Sequence, residues 1–157
     1  MLDAIIAEDP SFMPAYLSRG YLYYLELRFN DAIRCARMVM RQPQGKTDVA
    51  NYVRAYSLYA GTKGMIAHYG GPLSKAINGT VVLPMLRKAE KIRPESPEVL
   101  FGIGSFYLLA PSLAGGDIDR GIEYLRRAIA LDPLLADAYV RLAQAYLFKK
   151  DQQAMDP

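Results

Sequence analysis

Apolar residues recur at helical spacing in block after block, and the blocks stop in a recurring way, at a polar pair followed by a proline. IIAEDP closes at Pro10, AEKIRP at Pro94 and AIALDP at Pro133, with a similar stop, MVMRQP, at Pro43. Read with a 3.6-residue period, the pattern predicts helices at about 2–8, 13–27, 30–42, 47–67, 82–92, 97–109, 118–131 and 135–149. Pro84 fits only a first turn, which puts that helix start near 81–83. Asp117 follows Gly115-Gly116 as a natural N-cap, and Asp119 complements the helix dipole. No apolar–polar alternation of useful length argues for a strand. The expected fold is all-α.

A repeated stop signal implies a repeated unit. Pro10 to Pro43 spans 33 residues, Pro43 to Pro94 spans 51, and Pro94 to Pro133 spans 39. The first is close to a 34-residue helix–turn–helix repeat, and the others exceed it as if segments were spliced in. The residues agree. Tyr16-x2-Arg19-Gly20-x2-Tyr23 is followed by Ala32-x3-Ala36. Leu100-x2-Ile103-Gly104-x2-Tyr107 is followed by Gly121-x3-Leu125 and Ala128. Tyr139-x2-Leu142-Ala143-x2-Tyr146 gives a third first helix. A glycine or alanine between large residues lets a second helix approach closely. Residues 48–67 fit two registers equally well.

These residues resemble a tetratricopeptide (TPR) repeat protein over most of the chain. The resemblance implies a right-handed α-superhelix of helix-turn-helix repeats with two inter-helix insertions. One domain, 1–157, would comprise a half-repeat at 1–10, repeats at 13–46, 47–94 and 97–133, and a half-repeat at 135–150. Each half-repeat leaves one apolar flank uncovered by its own unit, so it acts as a cap, docks on another copy or continues into flanking sequence.

The insertions fall at about 68–80 and 110–117. Each holds a Gly-Gly pair together with apolar residues (Leu73, Ile77; Leu113), so both are expected to fold back onto the helices. Leu-Ala-Pro-Ser-Leu-Ala-Gly-Gly-Asp, residues 109–117, ahead of an amphipathic helix resembles the T component of TRAP transporters over about 97–150. That resemblance implies a bacterial, periplasmic accessory protein associated with a substrate-binding protein. Without GxGxxG, GxxxxGK[ST] or a preceding strand, Gly115-Gly116 reads as a tight turn rather than a phosphate cradle.

Composition narrows the function. Hydrophobic residues make up 52% and charged residues 22%, as in an ordinary globular chain. The net charge of +3 is spread along helices, too weak to argue for nucleic acid. No apolar run approaches the ~20 residues that span a bilayer. The chain as given reads as cytoplasmic, or as periplasmic had a leader been removed. Cys35 reads as core filler. His68 has no second histidine with which to build a metal site or a triad, and no catalytic residue, metal or cofactor is expected.

The expected function is a non-catalytic scaffold holding a partner segment on an apolar concave face, with Leu17, Tyr21, Tyr24, Phe101 and Leu108 lining it. The alternative is an accessory protein sheltering a small hydrophobic or organic-acid ligand beneath the insertions. Tyr56, His68, Phe101 and Leu113 would bound that pocket, and Arg54, Lys63 and Lys75 would meet the ligand's carboxylate. A third reading is assembly of copies through the half-repeats. The twelve tyrosines also have a plainer reading as interhelix packing.

Overall fold

Signature residues of the repeats become helix-pair contacts in the computed structural model, which describes residues 2–42 and 48–155. Pro43, one of the stop prolines, lies outside the described residues. The order is α1 (Leu2–Glu8), α2 (Met13–Leu25), α3 (Phe29–Met40), α4 (Val49–Tyr69), α5 (Pro72–Gly79), α6 (Val82–Ile92), α7 (Pro97–Leu109), a 3₁₀ turn (Ser112–Ala114), α8 (Ile118–Leu131) and α9 (Ala136–Met155). Among the described residues there is no strand. The chain divides into two compact units, Met1–Arg93 and Pro94–Pro157. The division falls at one of the repeat stops.

In the second unit α8 packs along α7. A Cβ on Gly104 would lie 2.8 Å from Leu125 Cγ and 3.1 Å from the Gly121 carbonyl oxygen. Only hydrogen fits there, so the two backbones nearly touch. Leu100, Ile103, Leu125 and Ala128 close over that contact and are essentially inaccessible. α9 lies on α8, with Ala138 and Ala145 fully buried.

The first unit repeats this arrangement with larger residues. α3 packs on α2 through Ala32, Ala36 and Val39, which are fully buried. A Cβ on Gly20 would meet Leu58 Cδ2 at 2.6 Å and Cys35 Cβ at 3.0 Å. α6 packs on α4 through Val82, Leu86 and Ala89, spaced as Gly121, Leu125 and Ala128 are in α8. Arg37 meets Tyr59 as Arg126 meets Tyr146, on the ring and at the hydroxyl, which aligns α4 as Tyr52-x2-Ala55-Tyr56-x2-Tyr59. Tyr56 stands where the other first helices carry Gly20 or Gly104, which is why the sequence pattern alone was ambiguous.

The insertions lie between paired helices but differ from the sequence expectation. The longer one is largely helical: Pro72 opens α5 at its first turn, where a missing N–H costs nothing. α5 is pinned to α4 by polar contacts. Ser74 Oγ donates to the Ile66 carbonyl (3.0 Å) and Lys63 Nζ donates to Asn78 Oδ1 (2.8 Å), while within α5 Asn78 Nδ2 donates to the Ser74 carbonyl (3.1 Å). Leu73 and Ile77 point outward at 74% and 59% exposure, and Leu113 in the shorter insertion is fully exposed. The longer insertion does fold back onto α4, but it is held by polar side-chain hydrogen bonds while its apolar side chains face solvent.

Gly115-Gly116 is the tight turn foreseen. Gly115 has φ +91°, and a Cβ on Gly116 would lie 1.8 Å from the Ala110 carbonyl oxygen. The Asp117 carboxylate then caps α8 by accepting from the Arg120 N–H at 3.1 Å.

Candidate functional site

The tyrosine that ends each first-helix signature has a cation on its face. Arg28 lies 4.2 Å from the centroid of Tyr23, Arg37 5.5 Å from Tyr59, Arg120 5.8 Å from Tyr107 and Arg126 5.8 Å from Tyr146. Arg37 and Arg126, each one residue past the central buried residue of its second helix, also donate to the hydroxyls of Tyr59 (3.4 Å) and Tyr146 (2.5 Å) on the next first helix. These rings are structural. Such contacts are worth about 0.5–1 kcal/mol each at exposed sites, and they fix successive helices in register.

The candidate site residues separate by burial. Leu17 belongs to an apolar cluster with Met13, Ala36, Val39, Ala55 and Leu58, and Leu108 to one with Ile122, Leu125 and Ala145. Tyr56 is buried, its hydroxyl 3.2 Å from that of Tyr52, and Lys88 lies 5.1 Å from its ring centre. The hydrogen bond to Tyr56 is the main cause pushing the Tyr52 phenol up. Leu17, Tyr56 and Leu108 are thus core side chains rather than a lining. Their positions abut neighbouring helices, and packing claims them first.

Tyr24 and Phe101 are half-buried over those two clusters. His68 is exposed at the end of α4, edge-on to Tyr69 at 5.1 Å. Tyr56 and His68 belong to the first unit, Phe101 and Leu113 to the second. Lys63 is engaged with Asn78 and holds α5, whereas Arg54 and Lys75 are exposed on α4 and α5. Cys35 is buried, and desolvation raises its thiol pKa, as suits core filler.

α2 carries an open apolar stripe. Tyr21, Leu22 and Leu25 are exposed, Leu25 by 74%. Spacings of i+3 and i+4 put the three on one face. Sequence reasoning found Tyr21 and missed Leu22 and Leu25, which fall off the signature register. Beside the α2–α3 turn a groove of about 540 Å³ is floored by Leu27, Phe29 and Ile66 and rimmed by Arg28, Asp31 and Arg34. Arg28 Nε donates to Asp31 Oδ2 at 2.8 Å and Arg34 also donates to Asp31. The Arg28 hydrogen bond is the first cause holding the Asp31 carboxyl below its ordinary range. Among the described residues no group of three or more His, Cys, Asp and Glu side chains could hold a metal ion. No helix of the described residues is long and apolar enough to cross a membrane.

No family model matches this chain, and no curated protein does, so the resemblance of residues 97–150 to TRAP T components gains no support. Solved structures do match. The chain is similar to TTC0263, a thermophilic TPR protein of Thermus thermophilus, with a TM-score of 0.77 and 17% identity over 94% of this chain and 71% of that one. It is also similar to MamA, in one structure at a TM-score of 0.54, with 18% identity over 95% of this chain and 75% of that one. A second MamA structure gives 0.53 at 18% identity, over 95% and 70%. The fold is all-α and of TPR type.

Proposed function

We propose that this chain is a non-catalytic scaffold for protein–protein interaction, binding an apolar partner segment on the open stripe of α2. One observation carries the reading: Tyr21, Leu22 and Leu25 form an exposed apolar face on a helix whose opposite side is locked into the core. Apolar patches of this kind, rimmed by polar groups, mark interaction sites. The adjoining groove adds a floor of Leu27, Phe29 and Ile66. Its guanidiniums are already engaged by Asp31, which favours apolar contact over capture of a terminal carboxylate. The TPR fold shared with TTC0263 and MamA is compatible with such a role and does not by itself assign it.

Panning a displayed peptide library on the immobilised full chain tests the reading. Amphipathic, apolar-rich sequences should be enriched, and the doubly substituted Leu22→Ser/Leu25→Ser chain should lose them while melting as the parent does. Absence of enrichment, or capture indifferent to the double substitution, contradicts it.

A further inference from the structure

α5 shows water the face that a surface helix ordinarily hides. It meets α4 through polar groups, Ser74 Oγ on the Ile66 carbonyl and Asn78 Oδ1 under Lys63 Nζ. Leu73 and Ile77, one turn apart on one face, are left largely in solvent, and so is Tyr69, which ends α4 just before it. A surface helix of a globular chain keeps its apolar stripe towards the core. α4 and α6 flank α5 in the chain and pack on each other, so this exposure belongs to the interior of the repeat array.

The same segment is one-sided in charge. From Val49 to Ala89 the chain holds five Lys and Arg and no Asp or Glu, although the whole chain nets only +3. Arg87 reaches forward to Glu90 at 2.6 Å. Lys63 gives its bond to a neutral amide, which leaves its charge uncompensated by that contact, and Lys75 is exposed on α5 itself. We propose that α5 docks the protein on an anionic lipid bilayer: Leu73, Ile77 and Tyr69 enter the headgroup layer, and Lys63 and Lys75 meet its negative charge. Two aliphatic side chains and one ring are too few for a stable protein interface, which takes about 20–30 residues a side. A bilayer accepts a small protruding apolar tip to a depth of about 5–10 Å and adds the attraction of its surface charge. Tyrosine suits that depth, with an apolar ring and a wet hydroxyl. A soluble polyanion would use the cations but would leave Leu73 and Ile77 in water. No helix of the described residues crosses a membrane, so the attachment is to the surface. The site is separate from the α2 stripe and stands whether or not that stripe binds.

The test is sedimentation of the full chain with vesicles of phosphatidylcholine alone and of phosphatidylcholine with an equal part of phosphatidylserine. The chain should pellet with the anionic vesicles and stay largely in solution with the neutral ones. Leu73→Ser/Ile77→Ser, which should melt as the parent does, should weaken binding to the anionic vesicles by about tenfold or more. Lys75→Glu should weaken it too. The chain has no tryptophan, so Leu73→Trp places a single reporter at the site, and its emission should shift to the blue when anionic vesicles are added. Failure to pellet with anionic vesicles, equal pelleting with neutral ones, pelleting indifferent to the serine pair, or an unshifted tryptophan overturns the proposal. So does binding of soluble polyglutamate as tight as that of the vesicles, which would give the surface to an acidic protein.

Discussion

Gly104 has room for hydrogen alone, because Leu125 and the Gly121 carbonyl already occupy the space around it. Gly104→Leu should therefore destabilise the second unit by about 1–3 kcal/mol or more through overpacking, read as a lower midpoint in urea. An unchanged midpoint would mean that α7 and α8 do not meet there. Charge gives a second residue-scale prediction. Asp31 is held below its ordinary range, first by the Arg28 hydrogen bond, and a depressed carboxyl contributes stability above its unfolded-state pKa that is lost as pH falls through its folded-state value. Asp31→Asn should thus melt lower than the parent at neutral pH, and the difference should vanish in strong acid. A difference constant with pH would contradict the pairing. Gly20, Gly104 and the tyrosines were legible in the sequence because a close helix contact needs one small residue at a fixed place. The cations on those rings were not, since Arg37 and Arg126 act on a different helix from their own.

At the scale of elements, the helix boundaries followed the expectation to within a few residues, except in the longer insertion and at the end of α9, which runs on to Met155 rather than 149. Gly70, Gly71, Pro72, Asn78 and Gly79 read locally as loop formers. The helix arises from tertiary context, since Ser74, Asn78 and Lys63 tie it to α4. A chain with Leu73→Ser and Ile77→Ser should melt within about 0.5 kcal/mol of the parent, because those side chains contact mainly solvent. Asn78→Ala, by contrast, should speed amide exchange within α5 and leave α7 and α8 unaffected. If the serine pair proves the more damaging, apolar burial holds the insertion after all.

For the whole molecule, composition and net charge set few demands, and on the proposed reading recognition rests on which apolar faces the repeats leave open. The repeat register was readable from spacing, but the open faces were not. Leu17 and Leu108 share the apolar character of Leu22 and Leu25, and only packing separates core from surface. Apolar docking should also be nearly indifferent to salt, whereas polyanion binding would fall steeply with it. The most direct measurement is methyl-labelled NMR of the full chain titrated with a panned apolar peptide. The account predicts saturable shifts centred on Leu22 and Leu25, unaltered by moderate salt. Shifts confined to the insertion methyls of Leu73, Ile77 and Leu113, with α2 silent, would contradict it.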